Sequence, residues 1–391
     1  MNKGIVLGAV LALAGFGAGM YFAKQDQPPP VATTGSAGPS YAGGFKAEGD
    51  AAEAVKAGVA SGNIKAVAGP AGDAVMVVKD GESIQEAVKR AAPGTTIQIL
   101  PGTYHETVYI DKDGIRLIGV IEEGRRAVLD GQGKLNDAIL YSGNNVVVEN
   151  LTITKYKGNG IMSQAGNNFE IRNNLIIDTG VYGIFPQLGQ NGVVEHNVVS
   201  GIEDAAIYVG MSDNIHVAHN DVFDSVAGIE IENSRHAIVE NNYVHNNTGG
   251  ILAFVTPGLP IKTTFDVIIR HNFIVGNNHD NFGAPGSTVA GIPPGTGVLI
   301  MAADDVVIEG NIISDNKTAG ILVTDHANAA NITVDPESEP NSDRVKILDN
   351  TMLDNGYDTI PEVKALMLTE LQRGNPDIVR VGPSPGSCIR N

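Results

Sequence analysis

The chain has 391 residues, and its 26 Lys and Arg side chains face 44 Asp and Glu side chains, which gives a formal net charge of -18. A surface this acidic repels nucleic acid, and it repels polyanionic glycans unless a divalent cation bridges the charges. The single cysteine, Cys388, excludes an intramolecular disulfide and a cysteine-based zinc or iron–sulfur site.

The N-terminal region carries a segment long enough to cross a membrane. Residues 4–23 are an uninterrupted apolar and glycine run, close to the roughly 20 residues that span a bilayer. The sequence therefore predicts a signal anchor or a cleavable signal peptide over residues 1–24. An uncleaved segment would leave the protein on the periplasmic side of the inner membrane, and a cleaved one would make it periplasmic or secreted. Residues 25–72, rich in Pro, Gly and Ala, are predicted to be a disordered linker.

A repeat of 22 or 23 residues organises the chain from residue 138 onward. Its first column is Gly or Ala followed by an aliphatic residue, and one step is lengthened to 47 residues; the pairs begin at Ala138, Gly160, Gly183, Ala206, Gly228, Gly250, Gly297 and Gly320. A second column is asparagine, usually 14 residues after the glycine: Asn174, Asn197, Asn220, Asn242, Asn272, Asn311 and Asn350. Two columns that keep register this long indicate stacked structural repeats.

Short aliphatic strands separated by tight turns fill each repeat, so one repeat is one coil of a parallel β-helix with three strands. The asparagines are expected to adopt the left-handed turn conformation and to bond from coil to coil. The fold class predicted is therefore all-β, a right-handed parallel β-helix over residues 73–360.

Both ends of the stack are predicted to be covered by helices. Residues 83–92 begin with Ser83 and carry Glu86 three positions later, a capping box, and Pro93-Gly94 ends the segment. Residues 361–374 have aliphatic residues at helical spacing. We expect the first helix to cap the N-terminal coil, and residues 361–391 to form a C-terminal cap and tail.

Residues 74–357 resemble the right-handed parallel β-helix superfamily typified by pectate and pectin lyases, and most closely exported bacterial parallel β-helix repeat proteins. The resemblance is carried by Pro101-Gly102-Thr103-Tyr104, the Gly-Ile starts and the asparagine column. It implies the fold directly and polysaccharide processing by analogy. Polygalacturonase-like members carry paired aspartates in a turn where this chain has Glu203-Asp204. The Gly-His-Gly of those members is replaced by Val226-Ala227-Gly228, and the Asp-Pro-His-Asp signature of alginate epimerases is absent.

The strands that follow the repeat glycines are expected to stack into one sheet, called the first sheet. Side chains alternate between inward and outward along each strand, and this alternation predicts an outward face that is unusually apolar toward the C-terminus. Three insertions, at residues 250–272, 272–297 and 320–350, leave or enter these strands. They are expected either to bury that face as a satellite core or to wall a cleft above it.

Candidate functional residues lie on the first sheet. Tyr208, Glu230 and Glu232 are predicted to point outward, with Asp204 in the turn one coil away. Paired carboxylates at this range suit acid–base glycoside cleavage, and Asp204, Glu230 and Glu232 equally suit calcium, which prefers carboxylate oxygens. A solvated acidic patch is the third interpretation.

Two His–Asp pairs lie in or beside the insertions: His279-Asp280 and Asp325-His326. A histidine positioned by a carboxylate is a candidate base. His279, Asp325 and His326 are therefore added to the candidate catalytic residues.

Two functions remain open from the sequence. One is an exported, membrane-tethered enzyme of envelope or extracellular polysaccharide, a lyase, hydrolase or epimerase. The other is a non-catalytic scaffold that engages a glycan or an envelope protein partner through the apolar face of the first sheet.

Overall fold

The computed structural model describes residues 74–330, 332–333 and 335–391. The predicted anchor and linker, residues 1–24 and 25–72, lie outside this part of the chain. Among the described residues, no helix combines the length and apolar character needed to cross a bilayer.

Three parallel sheets of 12, 10 and 10 strands run the length of the domain, and successive strands of one coil belong to different sheets. Strands are numbered β1–β32 in chain order. The described residues confirm the predicted β-helix with three strands per coil.

The first sheet carries the outward face singled out from the sequence. Its ten strands are β4 (Val108–Ile110), β7 (Ile139–Tyr141), β10 (Asn159–Ser163), β13 (Tyr182–Phe185), β16 (Ala205–Gly210), β19 (Ala227–Glu232), β22 (Gly249–Phe254), β25 (Thr296–Met301), β28 (Ala319–Thr324) and β31 (Ile378–Arg380).

The second sheet has twelve strands and receives the chain after the first sheet. Its strands are β1 (Val75–Val78), β2 (Thr96–Ile99), β5 (Arg116–Gly119), β8 (Val147–Glu149), β11 (Glu170–Arg172), β14 (Gln190–Glu195), β17 (Asp213–Ala218), β20 (Arg235–Glu240), β23 (Thr264–Arg270), β26 (Ala303–Glu309), β29 (Lys346–Leu348) and β32 (Cys388–Arg390).

The third sheet completes each coil. Its ten strands are β3 (Gly102–Tyr104), β6 (Ala127–Asp130), β9 (Thr152–Thr154), β12 (Leu175–Ile177), β15 (Val198–Ser200), β18 (Asp221–Phe223), β21 (Tyr243–His245), β24 (Phe273–Val275), β27 (Ile312–Ser314) and β30 (Thr351–Leu353).

The interior is mainly aliphatic, as predicted, although Tyr104, Tyr141, Tyr156 and Phe169 are also buried in it. The column Ile161, Ile184, Ile207, Ile229 and Ile251 is fully buried, and each member pairs with the next across neighbouring strands of the first sheet. Because one coil buries its inner side only against its neighbours, the stack provides the core.

The asparagine column forms a continuous ladder inside one corner of the helix. Asn220 Nδ2 donates to Asn242 Oδ1 at 3.0 Å and to the Val194 carbonyl at 3.0 Å, while Asn220 Oδ1 accepts from the main-chain and side-chain nitrogens of Asn197 at 3.0 Å each. The same pattern continues through Asn350 to the C-terminal Asn391. Each carboxamide thus satisfies two buried main-chain groups of the preceding coil and bonds to the asparagine side chain of the next coil.

The left-handed conformation falls on a different residue from the one predicted. The ladder asparagines do not have positive φ; the residue immediately before each one does, as at Asn173 (56°), His196 (56°) and His219 (57°). The preceding residue makes the corner, which turns the asparagine side chain inward to bond along the stack.

A short helix covers the N-terminal coil as predicted. Helix α1 (Ile84–Arg90) has Ser83 as its N-cap, and the Ser83 hydroxyl accepts from the Glu86 main-chain nitrogen at 3.2 Å. Ile84 and Val88 are buried and belong to the interior core.

The predicted C-terminal cap was wrong. Helix α2 (Pro361–Thr369) forms, but its buried residues Val363 and Met367 pack on the outer face of the first sheet. The chain then adds β31 to the first sheet and β32 to the second. The β-helix therefore continues beyond residue 360, because the last turns return to the sheet edges after the helix.

Candidate functional site

The outward columns of the first sheet bring the sequence-predicted carboxylates together. Glu230 lies between Tyr208 and Leu252 in register, and Glu232 lies between Gly210 and Phe254. Asp204 precedes β16, one coil before the two glutamates. Asp204, Glu230 and Glu232 are called the carboxyl cluster below.

The carboxyl cluster is buried, so the interpretation as a solvated acidic patch was wrong. Glu230 is 2% exposed and Glu232 is 5% exposed. Asp204 as a whole residue keeps some exposure, but its Oδ1 is enclosed, and neither Asp204 Oδ1 nor Glu230 Oε1 has a hydrogen-bond partner within the protein. Buried polar atoms without partners are rare and costly, which points to a role with a ligand or a proton.

Burial sets the protonation of the cluster. Burial, with a smaller contribution from Glu232, raises the pKa of Asp204 to about 8. Burial raises the pKa of Glu232 to about 7. Burial and the neighbouring Asp204 charge hold the pKa of Glu230 well above its usual range. A low-dielectric site disfavours several negative charges at once, so near neutral pH the cluster holds both protonated and ionised carboxyls.

Aromatic rings flank the cluster on its N-terminal side. The Tyr182 ring lies 4.6 Å from both Phe185 and Tyr208, and the Phe185 and Tyr208 centroids are 4.5 Å apart. Burial, followed by the charges of the carboxyl cluster, raises the pKa of Tyr182 well above its ordinary value. This packing fixes Tyr208 beside Glu230.

The outward face of the first sheet changes in exposure along its length. Next to the carboxyl cluster, on the N-terminal side, the outward side chains of Met162, Phe185 and Tyr208 are buried. Accessible side chains of this column lie further toward the N-terminus, where Leu140 is half-buried and Tyr109 is 57% exposed. The part around Leu140 and Tyr109 is called the open half, and the part toward the C-terminus, which the chain's own insertions cover, is called the covered half.

The covered half confirms the predicted satellite core. Leu252, Phe254, Leu299 and Met301 are buried in a cluster separate from the interior core, together with Val363 of α2. Any partner that docked on this half, as the scaffold alternative requires, would have to displace those covering segments.

A cavity of about 480 Å³ remains between the covered half and its covering segments, so the predicted cleft is present as well. Its walls come from β19, β22, β25 and β28, from a 3-10 helix (Val289–Gly291), from residues 328–330 and 332, and from α2. Glu230 lines it. The carboxyl cluster therefore lies at the edge of this cavity.

The predicted His–carboxylate pairs do not form. His279 Nδ1 lies 2.8 Å from the main-chain oxygen of Asp280, and His326 Nε2 lies 2.8 Å from the Val255 oxygen. Asp325 accepts from the main-chain and side-chain nitrogens of Asn328 instead. His279, Asp325 and His326 also do not line the cavity. Each histidine therefore bonds through one ring nitrogen to a main-chain oxygen and not to a carboxylate.

The calcium prediction for the carboxyl cluster stays a prediction. The free oxygens of Asp204 and Glu230 are donors of the type that calcium prefers. Within the described part of the chain, however, no three or more His, Cys, Asp or Glu side chains are grouped closely enough to hold a metal ion.

Several elements of the site were missed from the sequence. The 3-10 helix, α2 and the residues around Ala329 form cavity walls, although no repeat marks them. Asn281 holds one wall, since its Nδ2 donates to the Val289 and Ile292 oxygens at 2.8 and 2.9 Å. The apolar and Pro-Gly content of the insertion was the available signal.

The family that describes a right-handed β-helix region matches residues 132–222 and 224–362, more than half of the chain. The chain belongs to the right-handed β-helix family. No curated protein matches its sequence.

Solved structures share this right-handed β-helix. An alginate lyase from Paenibacillus sp. str. FPU-7 is 15% identical, with 73% of this chain and 99% of that chain covered and a TM-score of 0.53. The A-module of the mannuronan C-5 epimerase AlgE4 from Azotobacter vinelandii is 14% identical, with 81% and 87% covered and a TM-score of 0.50. The AlgE6 A-module from the same organism is 14% identical, with 78% and 87% covered and a TM-score of 0.50. At these identities the similarity shows a common fold.

Proposed function

We propose that this β-helix protein is an enzyme that hydrolyses glycosidic bonds, with the carboxyl cluster as its acid–base machinery. The observation that carries the proposal is the group of three neighbouring carboxyls, two of them with enclosed and unpartnered oxygens, at the edge of a cavity. The polysaccharide-acting enzymes that share the fold support a glycan as the substrate.

The chemistry follows from the split in protonation. A carboxyl with a raised pKa keeps its proton at neutral pH and can donate it to the departing glycosidic oxygen. An ionised neighbour can accept a proton from water or stabilise positive charge at the anomeric carbon. The raised pKa values of Asp204 and Glu232, about 8 and about 7, keep both forms available in this range.

Hydrolysis fits this site better than elimination or epimerisation. Both of those reactions remove a proton next to a sugar carboxylate, and the resulting anion needs a cationic or strongly donating partner. No Lys, Arg or His is among the described residues that line the cavity, which Glu230 and Glu362 make acidic. Hydrolysis needs only the carboxyls that the cluster supplies.

The open half provides the surface for the sugar chain. Tyr109 and Leu140 lie on neighbouring strands of the same outward column, in register with one another. The exposed Tyr109 ring offers an apolar face with a polar edge, a combination that suits sugars. Export, predicted from residues 4–23, would place the enzyme among envelope or extracellular polysaccharides.

The test is turnover of a panel of neutral and acidic polysaccharides by the full chain, measured as new reducing ends and as unsaturated products. We expect reducing ends without unsaturation, and a bell-shaped dependence of rate on pH. Glu230→Gln should lower the rate by about 10²–10⁴-fold while substrate binding survives. The matched control is Glu203→Gln, because Glu203 is exposed beside Asp204. Full activity of Glu230→Gln, or no product from any polysaccharide, would refute the proposal.

A further inference from the structure

The lining of the cavity next to the carboxyl cluster suits an apolar ligand better than an unsubstituted sugar chain. Its sheet wall is Leu252, Phe254, Leu299 and Met301, and Ile292 and Leu366 face them from the covering segments. A volume of about 480 Å³ lies within the range of about 300–1,000 Å³ typical of small-molecule pockets. Walls of this kind gain free energy mainly by removing apolar surface from water.

The polar groups that line the cavity are mostly engaged within the protein. The Asn281 amide bonds to the wall segment, and Asn328 bonds to Asp325. Two enclosed oxygens without partners remain, Glu230 Oε1 and Thr324 Oγ1. A sugar ring has many hydroxyl groups and would leave most of them unpaired here, at a cost for each.

Charge narrows the occupant further. The ionisable residues among the described lining are Glu230 and Glu362, both acidic, and no basic side chain joins them. A uronate, sulfate or phosphate group would therefore be buried without a counter-charge among the described lining residues. The occupant is uncharged, mainly apolar, and carries at most one or two hydrogen-bonding atoms.

We infer that the substrate is an uncharged glycan bearing an apolar substituent, an acyl or alkyl chain, and that the cavity holds this substituent while the attached sugar lies at the carboxyl cluster. The inference rests on the proposed hydrolysis for its sugar part, and on the cavity itself for its apolar part. Glu230 lines the cavity, so the bound chain would place its attached sugar against the carboxyl cluster.

The probes are methyl, butyl, hexyl and octyl β-D-glucopyranoside, each below its aggregation concentration, with binding to the full chain measured by titration calorimetry. Transfer of each methylene from water to an apolar site predicts roughly a three- to fourfold gain in affinity. We therefore expect affinity to rise steadily along the series. Equal affinity for all four glycosides, or binding of none, overturns the inference.

A pair of variants on one loop locates the binding. Ala329 lines the cavity, whereas Ala327 is exposed and does not. Ala329→Phe should remove the gain from chain length, and Ala327→Phe should leave it intact, with unfolding of both variants measured to show that they fold. A chain-length gain that survives Ala329→Phe places the alkyl chain elsewhere and overturns the inference.

The outcomes also separate this inference from the proposed function. If unmodified glycans are hydrolysed, Glu230→Gln abolishes this hydrolysis, and affinity does not depend on chain length, the proposed enzyme function stands and the inferred apolar substituent is refuted. If affinity rises with chain length, Ala329→Phe abolishes this rise, and no glycoside is hydrolysed, the apolar binding site stands and the proposed enzyme function is refuted.

Discussion

Glu232 should make the stability of the protein depend on pH in a way that one substitution removes. Its pKa rises from 4.5 to about 7 in the folded protein because its side chain is buried. The folded state therefore holds a proton that the unfolded chain has already released between these two values. The contribution of Glu232 to stability is fully present below pH 4.5 and is lost as the pH rises through about 7.

The size of the effect follows from the shift. A difference of about 2.5 pKa units, at 1.36 kcal/mol for each unit, amounts to roughly 3 kcal/mol. Glu232→Gln keeps the shape of the side chain and cannot ionise. The free energy of unfolding of the variant, relative to wild type, should therefore rise by about this amount between pH 4.5 and pH 8.5.

Urea denaturation of the variant and of wild type at intervals from pH 4.5 to pH 8.5 measures the difference in their free energies of unfolding. Taking this difference cancels the contribution of groups that titrate identically in both proteins. Glu203→Gln is the matched control, because this neighbouring side chain is exposed, and its profile should parallel wild type. Parallel profiles for Glu232→Gln and wild type would show that the carboxyl is not held protonated by the fold, and the acid–base assignment would lose its support.

Three further predictions test the ladder, the core and the metal. Asn220→Ala removes four buried hydrogen bonds and, at about 1 kcal/mol each, should lower the free energy of unfolding by about 4 kcal/mol in urea denaturation. The control Asn136→Ala, at an exposed position, should lower it by under about 0.5 kcal/mol. Equal losses for the two variants would contradict a stabilising role of the ladder. Gly192→Ala places a methyl group 2.0 Å from the buried Phe169 ring, so the free energy of unfolding should fall by about 1–3 kcal/mol and the melting temperature should fall with it. An unchanged melting temperature would show that the ring moves aside freely. Millimolar calcium should raise the melting temperature if the carboxyl cluster binds it, and no shift removes calcium from the site.

The repeat could be predicted from the sequence because its physical causes are local and regular. A ladder asparagine must recur once per coil, so the column can still be recognised in the sequence where loops lengthen a step. A second ladder five residues further on was overlooked, although the same arithmetic shows it: Asn247, Asn277, Asn316 and Asn355. Asn247 Nδ2 donates to Asn277 Oδ1 at 3.0 Å, as in the first ladder.

The site could be predicted only as far as strand alternation reaches. Alternation placed Glu230 and Glu232 on the same outward face as Tyr208, and the structure brings them together. Their burial depends on insertions that follow no repeat, so the sequence could not show whether those segments fold back or extend. The His279 and His326 pairings failed for a related reason, because main-chain carbonyls outside the repeat took their ring nitrogens.

The asparagine ladder separates the length of the connections from the geometry of the stack. Successive rungs are 22 or 23 residues apart in one region and 30 or 39 apart in another, yet the amide contacts of Asn242 and Asn272 stay at 3.0 Å. Segments of very different size can therefore be spliced between coils without loosening the framework. In evolution, the segments that cover the carboxyl cluster could be exchanged while the β-helix beneath them was inherited unchanged.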